Sequence, residues 1–346
     1  MKSNEPRLTF GLYVENLHPG EDDLDVRLQE HREQVALARQ AGFRSIVLGH
    51  HVLTHPIQML APIPHMASLI AESGDMQIAA GVLLLPLLNP ILLAEDLASL
   101  DWLSGGRVVF GVGLGYRDVE YQALDVKRTE RVKRFTEVLD AVLAQWNANG
   151  TWSFHGDYFK YDDLPVGLKP KQQPHPPLWF AADVEKAVQR AGRYGAAWYI
   201  SPRARMETIA SMLPLYTASL AEHGHKMPAV FPMRREAFLA PTEKEAKEMA
   251  VVYLQRQLLL YQSWGQYKGM PDAAQSDITF TADQIPDTYL VGTPDRVAEL
   301  IEKYAETLGI NHIVLRMQWP GTPHELVMRS IDMVGSKLVP NFSRAT

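Results

Sequence analysis

A closed (β/α)8 barrel is the fold class this sequence predicts, and three observations carry it. Eight short apolar runs alternate with helical patterns along 346 residues. No linker-like stretch separates two halves. The length lies within the range of one such barrel. A doubly wound open sheet shares the alternation and is the competing architecture. Residues 1–346 read as one domain, interrupted by insertions near 151–171 and 242–290.

Leu8–Val14 is the first strand. Asp25–Ala41 follows as an amphipathic helix with Val35, Leu37, Ala38 and Ala41 inward, and Gly42 is its stop. Ser45–Leu48 is strand two, Ala61–Ala71 a helix, Gln77–Leu83 strand three and Pro90–Leu103 a helix opened by its proline. Val108–Val112 is strand four. Glu130–Trp146 is a long helix with Val138, Leu139, Val142 and Leu143 on one face. Leu178–Phe180 is strand five, Glu185–Tyr194 a helix and Ala197–Ile200 strand six. Helix Arg205–His223 precedes strand seven within Ala229–Phe238. Ile313–Arg316 is strand eight, flanked by helices Pro294–Leu308 and Pro323–Leu338.

Two insertions break the rhythm. Thr151–Lys171 is rich in aromatic residues and turn formers and reads as a hairpin capping the barrel. Thr242–Leu290 is too long for a simple loop. Thr242 and Glu245 make a capping box for a helix through about Gln262, followed by a polar, mobile stretch Gly265–Thr281. This insertion is either a lid over an active site or a structural elaboration.

Composition excludes several classes of function. The net charge is −6, with 46% hydrophobic and 21% charged residues. No basic block suits nucleic acid. The absence of cysteine rules out disulfides, thiol nucleophiles, iron–sulfur clusters and thiolate zinc sites, and fits a cytoplasmic protein. The N-terminus lacks a signal-peptide core. The most apolar stretch, Ile78–Leu88, is too short to span a bilayer and contains Pro86. The expected partner is a small molecule or a second copy of the chain.

Chemistry concentrates at strand C-termini. Gly111, Gly113 and Gly115 follow strand four, where missing side chains let backbone approach a ligand, or simply pack. A dinucleotide fingerprint would need glycine at 116, where the chain has Tyr116. His50 and His51 end strand two, with His55 four residues on. Adjacent strand residues point to opposite faces, so the pair does not favour a metal. One of them can serve as general base or hydrogen-bond donor; otherwise both are satisfied loop residues. In LWFAADVEKAVQRAG, Ala181 and Ala182 leave room before a helix N-terminus, a natural phosphate pocket, with Asp183 as the N-cap. No G-x-S-x-G, P-loop or H-E-x-x-H is present, so an enzyme with this barrel relies on a cofactor.

Five segments in order resemble the bacterial-luciferase-like family of flavin-dependent oxidoreductases. They are VLGHHV, IAAGVLLLPLLNPILLAEDLASLD, LDWLSGGRVVFGVGLGY, WSFHGDYFKYDDLPVGLKPKQQPHPPLWFAA and VGTPDRVAELIEKYAETLGINHIVLRMQWPG. The resemblance implies a (β/α)8 barrel that binds FMN, reduced by a separate reductase, and uses O2 as a monooxygenase (EC 1.14 type) on an aldehyde, sulfonate, ketone or similar substrate. It makes His50 the catalytic histidine, as base or as stabiliser of the oxygen-bearing flavin. Gly81-Val82 matches the family's non-prolyl cis peptide beneath the flavin ring, and Asn89 a polar position near the pyrimidine edge. Gly113 lies in the cofactor-contacting loop, and Ala181, Ala182, Asp183 and Val184 match the phosphate-binding turn. His51, His55 and Tyr116 are expected around the substrate.

The chain also departs from the family. Gly49 stands where many members have Glu, and Leu114 and Asp287 stand where luciferase has arginines. Arg131 or Arg134 would then supply the phosphate's counter-charge. Two alternatives accompany the monooxygenase reading. One is hydride transfer with the deazaflavin F-420, for which Lys169, Lys171 and Arg203 would form a basic rim. The other is a non-catalytic flavin-binding protein. Family members pair as homodimers, for which Met59, Leu60, Met66, Leu92, Leu93 and Leu97 are candidates. The aromatic hairpin suggests an apolar substrate.

Overall fold

Alternating inward and outward side chains along eight parallel strands close the sheet on itself. The computed structural model describes residues 7–267 and 278–343. The barrel strands are β1 (Thr9–Tyr13), β2 (Ser45–Leu48), β3 (Gln77–Ala80), β4 (Val108–Gly113), β5 (Leu178–Ala181), β6 (Ala197–Tyr199), β7 (Pro232–Leu239) and β8 (His312–Arg316). Each pairs in parallel with its successor from β1 to β6, β7 pairs with β8, and β8 returns to β1. The β6–β7 seam is closed by an Ile200–Met233 bridge, in which Ile200 N donates to Pro232 O and Arg234 N to Ile200 O, both at 3.1 Å. This is the closed barrel rather than the open sheet.

The interior is a packed layer of Tyr13, Val47, Ala79, Val109, Trp179, Ala197, Tyr199 and Val314. Their neighbours in sequence, such as Leu12, Ile46, Ile78 and Val108, face the helices and form the larger core. Burying these side chains at roughly 25 cal/mol per Å2 drives closure. Beneath the inner layer His312 is satisfied by Thr9 Oγ1 (2.7 Å) and Ser45 Oγ (2.9 Å).

The helices around the barrel are α1 (Leu24–Gln40), α2 (Pro62–Ser68), α3 (Pro90–Leu103), α4 (Arg131–Asn147), α5 (Glu185–Arg193) and α6 (Met206–Glu222). The insertion helix is α7 (Glu243–Ser263), and α8 (Pro294–Leu308) and α9 (His324–Met333) follow it; Ile70–Ser73, Asp118–Ala123 and Val339–Phe342 are short further helices. Thr242 Oγ1 accepts from Glu245 N at 3.2 Å, as the capping box predicts. The helix expected over Ala61–Ala71 is split at Leu69. Past Met333 the last helix widens into a π turn over Val334–Leu338. Among the described residues no helix is long and apolar enough to cross a membrane.

Two expectations are corrected. The hairpin, Thr151–His155 with Lys160–Pro165, lies along the outside of α4 instead of capping the barrel. There Glu137 accepts from the amides of Asp157, Tyr158 and Phe159. The stretch expected to be mobile, 265–281, falls partly outside the described residues. At its described end Ile278 and Phe280 are buried against Ala246, Leu254 and Trp319, because two apolar side chains there find a core under α7. Met66, Leu93 and Leu97 are consumed by the chain's own core, whereas Leu92 is exposed.

Candidate functional site

The C-terminal mouth of the barrel holds a cavity of about 290 Å3 whose walls come from β1 to β7 and α7. Its floor is set by glycines. A Cβ on Gly111 would lie 1.7 Å from Ala80 O, and one on Gly113 would lie 2.5 Å from Val82 Cγ2. Strand β4 therefore lets the end of β3 fold against it, and there the Gly81-Val82 peptide is cis. Gly111 serves packing; Gly81, Val82 and Gly113 line the cavity.

β2 ends at Leu48, so His50 and His51 stand in the loop beyond it; both line the cavity but make different contacts. The Leu84 amide donates to His50 Nδ1 at 3.2 Å. Burial, helped by neighbouring His51 and opposed by Glu120, lowers the His50 pKa to about 4. His50 is thus a neutral imidazole with its proton on Nε2. His51 Nδ1 lies 3.0 Å from Glu120 Oε1, and its Nε2 lies 3.3 Å from the Tyr116 hydroxyl. Glu120 also accepts from Val52 N (3.0 Å) and Arg117 Nη1 (3.3 Å). Burial would raise the Glu120 pKa, but His51, Val52 and Arg117 outweigh it and hold the carboxylate below its usual range. Arg117 stacks 4.1 Å from the Trp264 ring, tying the end of α7 to the β4 loop.

A second ionic group fills the β1, β7 and β8 side. Arg316 binds Glu15 through Nε (2.7 Å) and Nη2, and its Nη1 donates to the Tyr261 hydroxyl at 2.9 Å. Glu236 Oε1 lies 3.7 Å from Arg316 and 3.5 Å from Arg234, and Glu236 Oε2 accepts from Trp319 Nε1 at 2.7 Å. Arg234 sits 4.5 Å over the Tyr13 ring. Arg203 sits 4.9 Å from the rings of both Tyr261 and Tyr267. Burial pushes the Tyr13 hydroxyl up to about 12, so it stays protonated.

At the other end Arg128, Arg131 and residues 181–184 line the same cavity. Arg128 is paired with Asp118 at 2.5 Å. The N-cap of α5 is Val184, with no side-chain cap, so the capping role expected of Asp183 is not realised. The first amides of α5 stay open to a ligand.

The mouth therefore gathers His50, His51, Gly81, Val82, Gly113, Tyr116, Arg131, Ala181, Ala182, Asp183 and Val184. Three expected residues lie elsewhere. Asn89 is the exposed N-cap of α3, its Oδ1 accepting from Ile91 N and Leu92 N. Arg134 donates to Pro86 O (3.2 Å) and stacks on Tyr158 and Phe159 of the hairpin. His55 is exposed and precedes a cis Pro56. Of the expected basic rim, Lys169 binds Asn149 and Lys171 packs over Trp102 at the opposite end of the barrel, while Arg203 packs against Tyr261 and Tyr267 behind the cavity wall. Among the described residues no group of three His, Asp or Glu is placed to hold a metal.

Sequence reasoning missed Arg234, Glu236, Arg316, Glu15, Tyr13 and Tyr199. A signal existed. Charged residues two apart in PMRREAFL, on a strand otherwise buried, point the same way into a barrel mouth. The departures also gain a reason: the Tyr13 hydroxyl occupies the space a Gly49 side chain would need, at 2.2 Å, and Asp287 pairs with Arg296 at 2.9 Å.

Comparison with known proteins agrees with this geometry. A family model described as luciferase-like monooxygenase matches residues 8–312. The crystal structure of monooxygenase RslO1 from Streptomyces bottropensis is similar, with a TM-score of 0.85 and 23% identity, over 97% of this chain and 100% of that one. An F420-dependent secondary alcohol dehydrogenase, solved with an F420–acetone adduct, is similar with a TM-score of 0.77 and 20% identity, over 98% of this chain and 99% of that one. The FMNH2-dependent dimethylsulfone monooxygenase of Pseudomonas putida is 29% identical over 161 residues, 46% of this chain and 44% of that protein.

Proposed function

The chain belongs to the luciferase-like monooxygenase family, and from that premise we propose that it is a monooxygenase that takes reduced FMN from a separate reductase and uses O2 to oxidise a small organic substrate. The observation that carries this reading is the pairing of a glycine-walled floor, Gly81, Val82 and Gly113, with a neutral buried His50 on one cavity.

The residues present suit FMN. The glycine floor leaves a flat wall for a ring system. The uncapped start of α5 offers amides to a phosphate, and Arg131 has no ion-pair partner among the described residues to compete for it. When bound, reduced flavin supplies the electrons that activate O2.

Every other contribution is the chain's own. His50 Nε2–H donates toward the reacting oxygen, since a histidine at pKa about 4 is a poor base at neutral pH. Glu120 fixes His51, which in turn orients the Tyr116 hydroxyl. Tyr261 and Gln266 of the insertion cover the mouth and restrict water.

A deazaflavin reading rests on Arg131 and Arg234 on the cavity wall, which suit a more anionic cofactor. The test is a fluorescence titration with FMN and F-420, each oxidised and reduced, followed by oxygen uptake with a flavin reductase. Preferential binding of reduced FMN with oxygen consumption is expected. Preferential binding of F-420 without oxygen uptake would replace the monooxygenase by a hydride-transfer enzyme, and binding of neither would remove both.

A further inference from the structure

The arginine cluster opposite the phosphate corner is more than a structural network. Among the described residues, Arg203, Arg234 and Arg316 face two carboxylates, Glu15 and Glu236. Glu15 is spent on Arg316, and Glu236 is divided between Arg316, Arg234 and the Trp319 N–H. One positive charge is left over in a buried setting, where an unpaired ion is costly. Burial alone would lower the pKa of Arg234, but Tyr13 and Glu236 outweigh it and keep the guanidinium charged.

The surplus is accessible at one place. Arg234 is only 8% exposed, yet it lines the cavity, and its Nε has no hydrogen-bond partner among the described residues. The Tyr199 hydroxyl, also on the cavity wall, lies within reach of the Arg234 guanidinium and has no other hydrogen-bond partner among the described residues. A guanidinium edge and a hydroxyl make a two-pronged donor for one oxyanion. Around them Leu17, Met59, Val82, Leu84 and Leu114 supply apolar wall.

We propose that the substrate carries a single oxyanion, a carboxylate or its sulfonate analogue, on an apolar body, and that Arg234 and Tyr199 bind that oxyanion. A dianion is disfavoured because the surplus is one charge. The inference rests on the proposed flavin site for the neighbouring end of the cavity, and it replaces the purely apolar substrate suggested by the aromatic hairpin.

The test uses the whole protein saturated with oxidised FMN, titrated with octanoate, 1-octanesulfonate and benzoate against 1-octanol and benzyl alcohol. Flavin and tryptophan fluorescence report binding. At least one anion is expected to bind about tenfold or more tightly than its neutral partner, the carboxylate and sulfonate arms telling the two groups apart. In Arg234→Gln the preference falls to within about threefold while FMN affinity holds, and in Tyr199→Phe it weakens by about three- to tenfold. No anion outbinding its neutral partner in the wild type overturns the proposal whatever the variants do. A preference untouched by Arg234→Gln overturns it as well. If FMN itself fails to bind, the flavin reading falls, and the same titration with inorganic phosphate filling the phosphate corner still decides the anion preference.

Discussion

The Leu84 backbone N–H donates to His50 Nδ1 across 3.2 Å. That contact commits His50 to carrying its proton on Nε2, so the residue is presented to the cavity as a donor. His50→Ala is expected to lower turnover by about a hundredfold or more while FMN affinity changes less than about threefold. His50→Gln, which keeps a donor, recovers part of the loss. Because the folded pKa is about 4, the rate between pH 5 and 9 shows no His50 inflection. Turnover unaltered in His50→Ala would remove its role.

Arg131 tests the phosphate corner. Arg131→Ala is expected to weaken FMN by about ten- to a hundredfold, the value of a charged hydrogen bond, and to leave riboflavin unaffected. Equal losses for both flavins would place the phosphate elsewhere.

Gly111 and Gly113 separate packing from binding. Gly111→Ala brings a methyl against the Ala80 carbonyl, which cannot yield, so a stability loss above about 3 kcal/mol is expected. Gly113→Ala presses on the Val82 side chain, which can move. Its stability loss is smaller, and flavin affinity falls by about tenfold or more. Urea unfolding and flavin titration of the two variants check the contrast; similar behaviour would show that the two glycines do one job.

Three buried histidines predict how the protein responds to acid. His18 Nε2 lies 3.1 Å from His31 Nε2, and His31 Nδ1 lies 3.1 Å from His65 Nε2. Burial lowers His18 to about 3 and His65 to about 4, and lowers His31 as well. All three fold neutral, so the unfolded chain takes up protons first. Their contribution is full above pH 6.5 and is lost as pH falls toward the folded values, at about 1.4 kcal/mol per pH unit for each histidine. Urea midpoints at pH 7.5, 6.5 and 5.5 should fall less steeply for His65→Gln than for the wild type. Identical slopes would show that the trio does not take part.

Glu120→Gln leaves Arg117 buried without its carboxylate and is expected to cost about 3 kcal/mol by urea denaturation. Adding Arg117→Met should recover part of that loss. No recovery would mean that Glu120 acts through His51 and Val52 alone.

Much of the scaffold was legible because its signals are local. Apolar runs bounded by turn formers placed all eight strands, and a proline at the first turn marked α3 to the residue. The same local rule explains why Asn89 does not reach the cavity: its side chain already caps α3. Arg131 and Arg134 look equivalent in sequence. One turn of helix separates them, and Arg134 is drawn to Pro86 and the hairpin aromatics. The Arg234–Glu236–Arg316–Glu15 group was illegible because its members lie on β7, on β8 and just past the end of β1, segments far apart in sequence that the barrel brings together.

Strand β7 has two bonded stretches. Its first half pairs with β8, and Ala237–Leu239 pairs with Leu290–Gly292, where the long insertion returns. The insertion thus leaves and rejoins the barrel beside one strand. Changes in its length or composition need not disturb the register of the other seven, since lengthening a loop between fixed ends costs little. The described end of the insertion is anchored by Ile278 and Phe280 against Trp319, so a change in the insertion would reshape the cover of the mouth beside β7 while the floor built by β3 and β4 keeps its form.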